Sequence, residues 1–230
     1  MYATLLLAAV LQLPVATLTP PVGQGFAVVE LFTSEGCSSC PPADDVLGTL
    51  GGPQVFPLAF HVDYWDALGW PDPFASALAT ARQRQYAEGG RVYTPQMVVN
   101  GRRAFVGSDA EQARLAIAAA VAIPSARQIT LSGDATRGQI RWWLAGTTEG
   151  LRLQIALVEG GLSIPVPRGE NAGRTLRHEH VVRAFQSLPV QGLEGAAELA
   201  VPADARKENL KMIVYLQDQK TLAIVAAARL

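Results

Sequence analysis

The chain is poor in the residues that build covalent or metal-bound scaffolds. Its 230 residues include two cysteines and three histidines. A disulfide-dense framework is therefore excluded, and a metal centre has few ligands to draw on. A basic excess is missing too: 19 Lys and Arg stand against 20 Asp and Glu, which argues against a dedicated nucleic-acid binder. No charged side chain precedes Glu30. The neutral opening contains one apolar run, residues 2–13. That run is too short for a bilayer span of about 20 residues, and it has the length of a secretory signal core. The positive residues that usually precede such a core are lacking. Residues 1–25 are expected to be a leader cut between Ala16 and Pro21, giving a periplasmic or secreted protein without a membrane span.

What is present is enough apolar sequence, 49% of residues, to form a substantial core. Two textures divide it. In residues 26–124 strand-like runs alternate with helical spacing, in the order β-α-β-α-β-β-α. Residues 27–32 and 55–62 read as buried strands. Residues 41–50 read as a helix, with Pro41 and Pro42 in the first turn, where a missing N–H costs little. Residues 72–88 read as a second helix ended by Gly89-Gly90. Asn100-Gly101 predicts a type I′ hairpin turn between residues 96–99 and 103–106. Ser108 is expected to cap a third helix, residues 109–122, with Glu111 completing a capping box. Residues 125–230 hold short strand-like runs (128–131, 139–144, 151–158, 181–185, 198–201, 211–216 and 223–227) separated by Gly and Pro turns, the pattern of a sandwich. Charge shifts at the same point, from six basic and ten acidic residues to thirteen and ten. An α/β unit over 26–124 and a β-rich unit over 125–230 are expected.

The sharpest chemical feature is Cys37-Ser38-Ser39-Cys40, after an expected strand and at the mouth of an expected helix. A two-residue spacer lets the two sulfurs meet across one turn and cycle between dithiol and disulfide, and a helix start favours thiolate. Cys37 is expected to attack and Cys40 to resolve. Two other readings stay open. One is a static disulfide, whose small loop restrains the unfolded chain by only about 2 kcal/mol. The other is a zinc or copper site that adds His178 and His180, or His61, to the sulfurs. A protein without catalysis that merely binds a partner belongs with the latter.

Other residues collect around this motif. Thr94-Pro95 precedes a strand, and X–Pro bonds are the ones that adopt cis. Such a bond presents the Thr94 backbone to an extended substrate, whereas a trans proline would merely end the loop. Trp65 and Trp70 lie in an aromatic segment, residues 61–74, expected at the cysteine end of the sheet. They read either as a substrate wall or as a plug over a seam between units. Residues 168–180 are unusually polar, and read as a loop over the first unit or as a solvated linker. No Lys, Arg or His lies between Phe26 and Val55, while Glu35, Asp44 and Asp45 flank the cysteines. An intermediate or reducing pair is expected unless Arg91, Arg102 or His61 folds in.

Taken together, the stretch Val29 to Ala43 with its CSSC, the runs HVDYWD and LGW from His61 and Leu68, YTPQMVVNG from Tyr93 and RGENAG from Arg168 resemble a secreted bacterial thioredoxin-like family, domain of unknown function 1223. The resemblance covers nearly the whole chain after the leader. It implies a thioredoxin-like fold, export and a redox pair, with Pro95 shaping the substrate groove. Thioredoxins also keep a buried carboxylate beneath the second cysteine, six residues before the first. Glu30 lies seven before Cys37, so its role as proton shuttle needs one extra loop residue. The expected activity is thiol–disulfide exchange by Cys37, Cys40 and Glu30, with Thr94, Pro95, Trp65 and Trp70 contacting a protein or small-thiol disulfide. An electron donor, which the sequence does not name, completes the cycle. No cofactor, bound metal or nucleic acid is called for.

Overall fold

The computed structural model describes residues 23–230. The expected leader falls, apart from residues 23–25, outside the described residues. Strand β1 (Ala27–Thr33) is apolar and β-branched along its length and buried at every position. It is followed by helix α1 (Pro41–Gly48), strand β2 (Val55–His61), helix α2 (Ala77–Gln85), strands β3 (Gln96–Val99) and β4 (Arg103–Val106), and helix α3 (Ala110–Val121). Nine strands complete the chain: β5 (Gln128–Asp134), β6 (Gln139–Ala145), β7 (Leu151–Glu159), β8 (Leu162–Val166), β9 (Arg174–His178), β10 (Val181–Pro189), β11 (Glu194–Glu198), β12 (Leu210–Asp218) and β13 (Ile224–Arg229). The result is a mixed α/β architecture with three α-helices among the described residues.

Eight strands form one mixed sheet in the order β13-β12-β7-β10-β2-β1-β3-β4. The two halves of the sequence thus meet inside a single sheet. The join is β10 running parallel to β2, with Val181 beside Ala59 and the Ala59 N–H donating to the His180 carbonyl at 2.8 Å. One apolar core is shared as well. Val28, Phe32, Phe60 and Ala79 from the first half pack with Val158, Ile213 and Tyr215 from the second. A second core, on the other face of β1, takes Val29 and Leu31 together with Ala43 and Leu47 of α1 and Ala113 and Ala116 of α3. The third lies between the three-stranded sheet β11-β6-β5 and the outer strands β7, β12 and β13. There the alternating Leu151, Leu153, Ile155 and Leu157 meet Ile129, Leu131 and Ile140.

The Asn100-Gly101 turn forms as expected, with φ of 48° and 66°, the left-handed pair a type I′ turn demands. A Cβ at Gly101 would lie 1.9 Å from the Leu222 carbonyl oxygen, so the turn is pressed against the loop before β13. Other boundaries differ from expectation. Helix α2 begins at Ala77 because the Ser76 side chain caps it, while Asp72 is engaged elsewhere. Helix α3 is capped by Asp109, not Ser108: its carboxylate accepts from the Gln112 N–H at 2.9 Å. Glu111 pairs with Arg114 instead of closing a capping box. The strand expected over 198–201 lies earlier, at Glu194–Glu198. Strands β8 and β9 were not expected, since Pro165 and a run of charged residues conceal their alternation. They form a two-stranded ribbon whose β9 lies against α1.

Candidate functional site

The site forms where β1 ends. Cys37 and Cys40 are joined by a disulfide with their Cα atoms 5.4 Å apart. The connecting turn is held by the Cys37 N–H on the Ser34 carbonyl at 3.1 Å and the Cys40 N–H on the Cys37 carbonyl at 3.2 Å. Cys40 is the N-cap of α1. Because Pro41 and Pro42 occupy the first two helical positions, two of the donors that a helix start usually offers to an anion are missing. Thiolate stabilisation from the helix is correspondingly weak.

The Thr94–Pro95 bond is cis. Gln96 pairs with Phe32 near the end of β1, which sets Pro95 beside the cysteine loop. A side chain at Gly107 would meet Ala43 Cβ of α1 at 3.1 Å and Pro95 Cβ at 3.4 Å, so glycine is what lets the Pro95 loop close on the helix. Trp65 Nε1 donates to Thr94 Oγ1 at 2.8 Å, and a Cβ on Gly36 would lie 3.1 Å from that of Trp65. Trp65, Thr94 and Pro95 therefore gather at the motif. Trp70 has another task. Its Nε1 donates to Glu35 Oε2 at 2.7 Å, and it backs onto Gly169 at the seam.

Glu30 is corrected by the structure. Along β1 its side chain shares a face with Val28 and Phe32, the face covered by α2, whereas α1 and Cys40 lie over Val29 and Leu31. The carboxylate accepts from Arg82 Nε at 2.9 Å and Nη2 at 3.1 Å. Tyr86 and Tyr215 hydroxyls add bonds of 2.5 and 3.0 Å. It is a fully partnered ion on the wrong side of the sheet to serve Cys40.

Three other carboxylates sit on the cysteine side; in the sequence Glu35 and Asp44 stand out only as residues flanking the cysteines and Asp72 as the start of the second helix. Glu35 is fully buried, with Oε1 3.1 Å from His178 Nε2. Asp72 Oδ2 lies 2.6 Å from His61 Nδ1 and accepts from the Glu35 N–H at 2.8 Å. Burial alone would raise Asp72, yet His61 and the backbone donors outweigh it and hold the carboxyl below its ordinary range. Burial likewise disfavours the His61 cation, and Asp72 reverses this, so the imidazolium persists above its usual pH. Asp44, four residues after Cys40 on the buried face of α1, accepts from Thr33 Oγ1 at 3.1 Å. Burial pushes its pKa up to about 6, against the opposing pull of His178, His61 and Thr33. The His61 and His178 rings meet edge to face, centroids 4.9 Å apart.

Both sulfurs are covered. Cys37 and Cys40 have no exposed surface, although Ser38 and Ser39 between them are exposed. The second half of the chain closes over the backbone around them. Asn171 Nδ2 donates to the Glu35 carbonyl at 2.8 Å and the Cys37 carbonyl at 3.0 Å. The exposed Glu170 accepts from the Ser38 N–H at 2.9 Å. Residues 168–180 are thus in part strand β9 and in part this cover, not a solvated linker. Of the cations considered, His61 enters the site. Arg102 lies at the opposite end of the sheet, in the turn between β3 and β4.

The sulfur–histidine metal reading finds no geometry. His178 ends β9, and His180 follows it with φ of 59°, so the two do not share a strand face. Among the described residues no group of three His, Cys, Asp or Glu stands in a metal-holding arrangement. No helix among them is long and apolar enough to cross a membrane. Asp63 and Asp66 serve local structure, accepting from Thr80 Oγ1 and the Asp72 N–H.

The fold has a counterpart of known structure. The crystal structure of protein AGR_C_4864 from Agrobacterium tumefaciens is similar, at 30% identity and a TM-score of 0.68 over 89% of this chain and 93% of that one. No curated protein matches the chain significantly. The model of the family described as protein of unknown function (DUF1223) matches residues 28–217, most of the chain, and the protein belongs to that family.

Proposed function

We propose that the protein is an exported thiol–disulfide oxidoreductase working through Cys37 and Cys40. The observation that carries this reading is a two-residue-spaced disulfide at the start of α1, beside Pro95 and close in the chain to the buried carboxylates Glu35 and Asp44. A purely structural staple has no need of such surroundings. The element order β1-α1-β2-α2-β3-β4-α3 supports a thioredoxin-like fold. So do the strand order β2-β1-β3-β4 and the placing of α1 and α3 against one face with α2 on the other. A persistent disulfide fits an oxidising compartment outside the cytosol. The substrate is a protein or small-thiol disulfide or dithiol, met on the surface around Trp65, Thr94 and Pro95.

Exchange requires the cover to lift, since an attacking thiolate must reach Cys37 Sγ. The two Asn171 hydrogen bonds, at about 1 kcal/mol each, set the population of the open form. Asn171→Ala is therefore expected to speed reduction of the native disulfide by dithiothreitol by about 10- to 30-fold. Glu170→Ala, which removes an exposed contact, should have a smaller effect in the same direction. Quenched alkylation below the unfolding transition gives the rates. Reduction that proceeds in the wild type only as fast as global unfolding would mean a static disulfide and overturn the reading. Trapping of mixed disulfides by Cys40→Ser in the native compartment then identifies partners.

A further inference from the structure

We propose that Asp44 is the group that delivers a proton to the Cys40 sulfur when the disulfide opens, and takes it back when the disulfide forms. This rests on the exchange reading and specifies its chemistry. Pro41, Ala43, Asp44 and Leu47 are the buried residues of α1, Cys40 at its N-cap is buried with them, and positions i and i+4 stand one above the other. Helical side chains lean toward the N-terminus, so the Asp44 carboxyl leans toward Cys40. Glu30, the carboxylate that the thioredoxin resemblance suggested, lies across the sheet.

The surroundings allow this carboxyl to hold or release a proton. Thr33 at the end of β1 donates to it. His61 from β2 and His178 from β9 face it, Asp72 from the loop after β2 opposes it, and Glu35 is bonded to His178. Asp45, beside it on α1, points to solvent, and no Lys or Arg enters this set. Each histidine already spends one ring nitrogen on a carboxylate. His61 Nε2 and His178 Nδ1 remain buried and without a partner. The His61 ring can therefore take or give a second proton without breaking its bond to Asp72.

The step balances as follows. A substrate dithiol presents one thiolate, which attacks Cys37 Sγ and forms a mixed disulfide. The Cys37–Cys40 bond breaks, and its electron pair leaves on Cys40 as thiolate. Protonated Asp44 supplies the proton, becoming carboxylate, and Cys40 becomes a thiol. The second substrate thiolate then attacks its own mixed-disulfide sulfur and releases Cys37. Two electrons have passed from the substrate dithiol to the protein.

The test is the pH profile of reduction of the full chain by dithiothreitol, each rate divided by the reductant's thiolate fraction. Wild type is expected to react about a hundredfold faster on the acid side of a single step near pH 6 than on the basic side, the size of effect a positioned acid gives at the low end of its range. Asp44→Asn should abolish the step. Thr33→Val, which keeps the carboxylate but removes a bond favouring its charged form, should move the midpoint upward. A structural role alone would alter rates uniformly and leave the step in place. Ready reduction with no step, or a step that survives in Asp44→Asn, overturns this inference and spares the exchange reading. Refusal of the native disulfide to be reduced removes both.

Discussion

Glu30→Ala is expected to lower the unfolding free energy by about 3–5 kcal/mol, the cost of leaving one member of a buried pair uncompensated. Arg82 is almost wholly buried and has Glu30 as its ionic partner. It also donates to the Gln217 side chain at 2.6 Å and to the Tyr86 hydroxyl at 2.6 Å, and its guanidinium lies 5.0 Å from the Tyr86 ring centre. These contacts orient the cation but do not neutralise it. Burial works against the guanidinium, and Glu30 reverses this, holding Arg82 above its ordinary pKa. The loss should appear in urea unfolding as a shifted midpoint with an unchanged slope. Replacing both partners by apolar residues of similar volume should restore most of it, because no charge is then stranded. The rate of native disulfide reduction should be untouched by Glu30→Gln. A marked slowing would return Glu30 to the chemistry that the sheet separates it from.

Asp44→Asn is expected to act in the opposite direction, stabilising the oxidised protein by about 2–3 kcal/mol at pH 7.5 and by almost nothing at pH 4. The carboxyl is raised from 3.8 to about 6 in the folded chain, so between those values the folded state keeps a proton that the unfolded chain has lost. The stability linked to that proton is complete below the unfolded pKa. It falls as pH rises through about 6, by roughly 1.4 kcal/mol for each unit of difference. An amide avoids the cost of a buried carboxylate while retaining a group that Thr33 can hydrogen-bond. Urea midpoints at the two pH values measure the difference. Equal midpoints at pH 7.5 would mean that burial does not oppose this charge. A residue that weakens the fold at neutral pH is what a proton-exchanging group in a covered site looks like.

The legible parts of this molecule were those whose cause is local. The two-residue spacing of Cys37 and Cys40, the prolines opening α1, the Asn100-Gly101 turn and the apolar runs of β1, β2, β7 and β12 each follow from contacts within a few residues. Boundaries slipped where a competing side chain intervened, as when Asp109 took the cap expected of Ser108. The candidate site was legible in its sulfurs, in the Thr94–Pro95 bond and in Trp65. Its proton-bearing groups were not, because their roles are made by distant partners. Glu35 and His178 are 143 residues apart, and Asn171 reaches Cys37 across 134. β9, which carries His178, has polar residues that gave no sign of a strand.

By itself the sequence determined that a closely spaced cysteine pair stands at a helix start after a buried strand, and that strands dominate beyond residue 124. Spacing and turn chemistry act over one or two turns of backbone and need no knowledge of the rest. Only the tertiary structure decided that both halves share one sheet, that Glu30 faces α2 and Arg82, and that Asp44 is gathered with His61 and His178. Side-chain alternation tells which residues share a face of a strand. Which helix covers that face, and which distant segment closes over it, depends on how the whole chain buries its apolar surface at once.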